Sequence, residues 1–374
     1  MFSSGFRLGR ILGIPIYLHA SWFIIFVLIT LSLSVYFAHL NPHWTRAQHW
    51  TVGIATSLLF FGSVLFHELA HSVVALRYRI PVMSITLFVF GGIARIGREP
   101  SSAKQEFNIA VAGPISSYLL AVGFYALARA LAGVEMLVAL ATWLAQINFL
   151  LATFNLIPGF PLDGGRILRS VVWAWKRDYA RATRVAARGG QIFAYLLIFI
   201  GIWQALGGNF VGGLWLAFIG WFLLTAAQES YAQVAMRRML EGLRAADIMS
   251  PEVPTISRDL SLEDFVRELF RTGRRCHLVV SDGHLVGMMD VHQLNRIPRE
   301  EWATTSVQAA MLPPGKIHWV RPEQPLLSIL ERMQSEDVNQ MPVVDGERII
   351  GIVSRDSILR VLQNRMEIGE LAEQ

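Results

Sequence analysis

The stretch Phe66-His67-Glu68-Leu69-Ala70-His71 places two imidazoles four residues apart, with a carboxylate beside the first. On a helix, positions i and i+4 share a face, so His67 and His71 can offer two nitrogens to one metal ion. Glu68 stands one position off that line, beside such an ion rather than on it, where it can take a proton from a metal-bound water. That is hydrolytic chemistry. From Val52 to Ala75 the chain is almost continuously apolar apart from Thr56, a few serines and this cluster. Such a run is long enough to cross a hydrocarbon core of about 30 Å at roughly 1.5 Å per residue. Chance readily produces H-E-x-x-H in a soluble helix, but ionisable side chains at membrane depth are costly unless paired or ligating, so the cluster reads as a functional site.

Two histidines do not complete a hydrolytic zinc site, which usually takes a third protein ligand and leaves the fourth position to water. The remaining candidate within membrane-depth sequence is Asp163, in Asn155-Leu-Ile-Pro158-Gly159-Phe-Pro161-Leu-Asp163-Gly164-Gly165-Arg166. Pro158, Gly159 and Pro161 are expected to break the helix before it, and Gly164-Gly165 to loosen the chain after it. Broken backbone at that depth is tolerated where it is buried in protein or lines a water-filled cavity. Asn155 is a candidate donor to a substrate carbonyl or developing oxyanion, with an interhelical hydrogen bond as the competing reading. Asn148 reads as a polar contact between helices, Arg166 as part of the cytoplasmic interface, and His19 as an interfacial histidine.

Six spans are expected to carry these residues: about 15–38, 51–77, 106–131, 134–156, 190–206 and 211–228. Trp44 and Trp50, in the loop after the first, suit a membrane interface. Ala112-Gly113-Pro114 in the third permits close helix approach with a kink. Residues 84–97 differ from the rest. Ser84–Phe90 is rich in β-formers, Gly91-Gly92 is a turn signal, and Ile93–Ile96 resumes the pattern, which predicts a membrane-associated β-hairpin. An exposed edge along Ile85–Phe90 would suit pairing with an extended peptide.

The 374 residues are 53% hydrophobic and 16% charged, with a net charge of +5. The basic residues flank membrane segments at 1–10, 77–104 and 166–188, while Arg46 is the one basic residue on the opposite side. The positive-inside rule therefore places both termini in the cytoplasm and explains the charge without nucleic acid. The lone cysteine, Cys276, excludes an internal disulfide framework.

Val64–His71, taken with Asn155–Arg166, Phe90-Gly91-Gly92 and Ala112-Gly113-Pro114, resembles the site-2 protease family of intramembrane zinc metalloproteases over about residues 10–228. The resemblance implies one catalytic Zn2+ held by His67, His71 and Asp163, Glu68 as base, and a transmembrane protein substrate cut within the lipid bilayer.

After Arg237-Arg238 the composition becomes that of a soluble protein and repeats. His277-Leu-Val-Val280 through Gly287 aligns without gaps on Met341-Pro-Val-Val344 through Gly351, and Ala246–Met249 echoes Ala309–Met311. Amphipathic helices are expected at Leu262–Phe270 and Leu326–Met333. The pair resembles tandem CBS domains. Such pairs often bind adenine nucleotides, but Gln293 and Ser357 stand where a ribose-binding aspartate is expected, and Asp356 lies one position early. A docking or homodimerisation module is therefore favoured over a nucleotide sensor.

The expected fold is a polytopic α-helical membrane protein with six transmembrane helices and a small β-hairpin, followed by a soluble α/β CBS pair. Its parts are 1–230, a linker at 231–243, and 244–374, with copies at about 244–304 and 305–365. The competing readings are a channel or transporter with CBS domains, which predicts inverted repeats and no metal triad, and a catalytically inactive scaffold, against which Glu68 stands.

Overall fold

The computed structural model describes residues 5–372 except Phe90, Asp282, Gly283 and Glu347; Phe90 of the Phe90-Gly91-Gly92 motif thus lies outside the described residues. It divides into two compact units, Met1–Val234 and Ala235–Gln374.

The first unit opens with strands β1 (Gly5–Ile11) and β2 (Ile14–His19), joined by Leu12 and Gly13, both in the left-handed region. Helices α1 (Ala20–Leu40) and α2 (Arg46–Arg77) follow, then strands β3 (Val82–Phe88) and β4 (Gly91–Ile96). Next come α3 (Ala103–Ala130), α4 (Glu135–Asn155), α5 (Asp163–Lys176), α6 (Tyr179–Leu206) and α7 (Phe210–Leu240), whose residues from Ala235 on are counted with the second unit. Among the described residues, six helices are long and apolar enough to cross a membrane: α1, α2, α3, α4, α6 and α7.

The start of the first span is corrected. Residues 15–19 are extended, and Ile14, Ile16 and Leu18 are buried while their neighbours are half-buried. This is strand alternation, masked in the sequence by the apolar run that continues into α1. His19 ends the strand and caps the helix, its Nδ1 accepting from Ser21 N at 3.2 Å. The predicted hairpin is half of a four-stranded sheet of order β1-β2-β3-β4, in which β2 runs parallel to β3 with Ile16 opposite Ile85. The edge expected to be open is therefore covered along Ile85–Leu87. The free edge on that side belongs to β4.

Helices α6 and α7 extend well beyond the apolar windows at 190–206 and 211–228, because hydropathy marks only the lipid-facing part of a helix. Residues 231–240, read as part of a linker, are helical. Trp44 is buried: its ring lies against Phe37 and its Nε1 donates to Glu135 Oε2 at 3.2 Å.

The second unit holds α8 (Ala245–Ile248), β5 (Thr255–Ser257), α9 (Leu262–Thr272), β6 (Cys276–Ser281), β7 (His284–Asp290) and α10 (Val291–Leu294). The second copy supplies α11 (Val307–Ala310), α12 (Leu326–Ser335), β8 (Gln340–Asp345), β9 (Arg348–Ser354) and α13 (Arg355–Ala372). The repeat is visible in register: Val279 faces Gly287 and Val343 faces Gly351, each followed by an irregularity in the ladder. Leu262 and Phe265 of α9, and Leu326, Ile329 and Met333 of α12, fill the two cores. The copies also trade a side chain. A Cβ on Gly287 would lie 2.6 Å from Met311 Sδ, and one on Gly351 would lie 2.9 Å from Met249 Sδ, so each strand glycine receives the methionine that opens the other copy.

Candidate metal centre

Helix α2 turns His67 and His71 inward, 4% and 5% exposed, with their Nε2 atoms 3.2 Å apart. Asp163 Oδ2 lies 3.1 Å from each. The outer ring nitrogens are held by α3. His71 Nδ1 donates to the carbonyl oxygen of Ile109 at 2.6 Å, and His67 Nδ1 bonds Ser117 Oγ at 2.9 Å. A carbonyl oxygen can only accept, so His71 carries its proton on Nδ1 and presents a lone pair at Nε2. Lone pairs converging at this spacing repel unless a cation sits between them. A tetrahedral ion with bonds of about 2.0 Å spaces its ligand atoms about 3.3 Å apart, close to the triangle found here. The donor set and its outward hydrogen bonds fit zinc.

Asp163 reaches the imidazoles because the chain breaks where the prolines predicted. Helix α4 ends at Asn155, residues 156–162 are irregular, and Asp163 is the first residue of α5. The two following glycines do not loosen the chain, as expected from sequence, but lie inside α5. A Cβ on Gly164 would come 2.3 Å from the Leu156 and Ile157 oxygens, and one on Gly165 would come 2.4 Å from Gly159 C. They let the irregular segment fold back onto the helix that carries the carboxylate.

Glu68 is half-buried beside the triangle, near Ala94 of β4. Gly92 is equally close, since a Cβ there would sit 2.5 Å from Glu68 Cγ. Asn155 is half-buried at the end of α4 and is not part of the triangle. Asn148 ties α4 to α2, donating to Ser63 Oγ at 3.2 Å.

The description "Peptidase family M50" matches residues 55–142 and 129–197, and "CBS domain" matches 245–298 and 308–364. A Mycobacterium tuberculosis protein named "Putative zinc metalloprotease Rip3" is 37% identical over 361 residues, 95% of this chain and 92% of its own. The chain belongs to peptidase family M50, the site-2 proteases. A Synechocystis protein named "Putative zinc metalloprotease sll0528" is 34% identical over 366 residues, 96% of each chain. The solved "Site-2 Protease from Methanocaldococcus jannaschii" is 30% identical, with a TM-score of 0.42, covering 61% of this chain and 95% of that one. The protein is thus a zinc metalloendopeptidase of the membrane followed by a CBS pair.

Sequence reasoning missed three residues that shape this site-2 protease. Gly113, read as a helix-packing residue, faces the triangle: a Cβ on it would lie 2.2 Å from His71 Nε2 and 2.6 Å from His67 Nε2. Ile109 and Ser117 lie four residues to either side of it, on the same face of α3. That spacing was the available signal, once one knew which face turned inward.

In the CBS pair, Ser357 takes no free position. Its Oγ donates to Ser354 O at 2.7 Å and accepts from Ser354 N at 3.0 Å. Two small clefts, of about 140 and 230 Å³, lie near Arg275 and Asp356, which border both.

Proposed function

We propose that this site-2 protease cuts membrane-spanning segments of other proteins within the bilayer, with Zn2+ held by His67, His71 and Asp163. The observation that carries the reading is the triangle of two imidazole nitrogens and one carboxylate oxygen at 3.1–3.2 Å, each imidazole held by an outward hydrogen bond. When bound, the ion acidifies a water and polarises the scissile carbonyl. Glu68 takes the water's proton and returns it to the departing amine. Asn155 donates to the carbonyl oxygen of the segment being cut.

A helical substrate hides its peptide bonds in i to i−4 hydrogen bonds, so it must unwind before attack. The free edge of β4 is the place for the unwound segment, because this edge carries Gly92 and Ala94 up to Glu68. Main-chain pairing there holds an extended peptide without dictating its side chains.

Even span number and flanking basic residues put both termini, and with them the CBS pair at 244–374, in the cytoplasm. The pair serves as a docking or homodimerisation module. Adenine nucleotide is the second reading, supported by the arginines and Asp356 that line the two clefts.

The test is made in bilayers. Wild-type protein and Glu68→Gln should each hold one zinc per chain, and Asp163→Asn should lose it. Membrane proteins that accumulate uncut on Glu68→Gln should be cut within a transmembrane segment when wild-type protein is restored. Full zinc content in Asp163→Asn would reject the ligand set.

A further inference from the structure

Away from the triangle, the first unit buries a second charged pair. Glu106, in the first turn of α3, is fully buried, and Arg169, six residues after Asp163 on α5, is 8% exposed. Arg169 donates through Nε to Glu106 Oε1 at 2.7 Å, and through Nη2 to the same oxygen. Its guanidinium also faces two rings, Phe160 at 4.8 Å and Tyr179 at 4.7 Å. Phe160 belongs to the irregular segment before Asp163. Tyr179 opens α6, and its hydroxyl donates to Glu99 Oε2 at 3.0 Å. One side chain therefore joins α3, the segment leading into Asp163 and the helix that follows α5.

Burying an ion pair gains little stability over well-packed apolar side chains, so packing alone does not explain it. What two charge-assisted bonds converging on one carboxylate oxygen add is a fixed position for the guanidinium. Glu106, Ile109, Gly113 and Ser117 follow one another at three, four and four residues, along a single stripe of α3. The last three touch or support the imidazoles. At about 1.5 Å per residue, Glu106 lies about 10 Å along α3 from Gly113, and Arg169 about 9 Å along α5 from Asp163. The pair thus ties α5 to α3 about one and a half to two helical turns from Asp163 on one helix and from Gly113 on the other.

We propose that Glu106 and Arg169 form a positioning pair, fixing α5 against α3 and so setting how far Asp163 reaches toward His67 and His71. The inference rests on reading Asp163 as a metal ligand. It is tested on the full chain with Glu106→Gln, which keeps size and loses charge, and with Glu106→Asp, which keeps charge and shortens the reach. Each is measured for zinc affinity by chelator competition, for the visible absorption spectrum with Co2+ in place of zinc, and for melting temperature. A positioning role predicts an affinity loss of about tenfold or more and an altered Co2+ spectrum in protein that remains folded. A purely structural role would lower the melting temperature and leave the spectrum of the folded fraction unchanged, which overturns the proposal. If Glu106→Gln does not fold, Glu106→Asp and Arg169→Lys decide by the same criteria. Undiminished zinc affinity in Asp163→Asn would instead remove the ligand reading itself, whereas a loss there with wild-type behaviour at Glu106 would remove only the pair.

Discussion

The two units of this chain spend polar residues in opposite ways. In the membrane unit they are few, and the ionisable ones around the triangle are committed: His67 and His71 to Ser117 and Ile109, and Glu106 to Arg169. In the CBS unit, charged residues crowd the surface and pair with near neighbours, as Arg271 does with Glu268 and Arg267 with Asp264. A polar group in lipid needs a reason, whereas one in water does not. Function is therefore legible in the first unit, and only fold in the second.

The largest effect is expected at Gly113. Alanine there puts a methyl group where the imidazole nitrogens and any ion between them must be, so bound zinc, measured by elemental analysis, and cleavage should both fall to background. Normal zinc in Gly113→Ala would mean that the face of α3 is misplaced, and would break the contrast at its centre. Glu68→Gln should come next, slowing cleavage by roughly 10²–10⁴-fold while leaving zinc in place. Ser117→Ala, which removes the hydroxyl at His67 Nδ1, should weaken zinc by about 10–100-fold in chelator competition.

The remaining effects are smaller and lie in the soluble unit. Millimolar ATP or AMP should leave its melting temperature unchanged, since Ser357 bonds to its own turn and Gln293 is not acidic. A rise of several degrees would make the clefts a nucleotide site and erase much of the difference between the units. The smallest effect concerns His277, which is fully buried with its ring against Phe265 and its Nδ1 without a hydrogen-bond partner among the described residues. Burial holds its pKa below the ordinary histidine value. The folded state therefore resists a proton that the unfolded chain accepts, and the stability this residue contributes is whole above about pH 6.5 and declines as pH falls below it. Melting between pH 7.5 and 5.5 should show that decline, and His277→Gln should flatten it.

How much could be read in advance follows the same division. The spans, the H-E-x-x-H and the break before Asp163 stood out because lipid permits few alternatives to an unbroken apolar helix. The strand at Ile14–His19 did not, since its alternation is hidden when both faces are apolar. Gly113 and Ser117 were invisible as site residues because a helix does not announce which face meets its neighbour. Glu106 and Arg169, 63 residues apart, carry no local pattern at all. In the soluble unit the repeat exposed the architecture directly, yet the residues lining its clefts follow no motif that names a ligand.

The exchange of Met249 and Met311 gives the soluble unit a further property. Neither half owns a complete interior: Gly351 relies on Met249 and Gly287 on Met311, so a cut between the halves would leave each with an open socket. Truncating this chain near residue 305 should therefore leave the remaining half less stable, with a lower melting temperature than the intact pair.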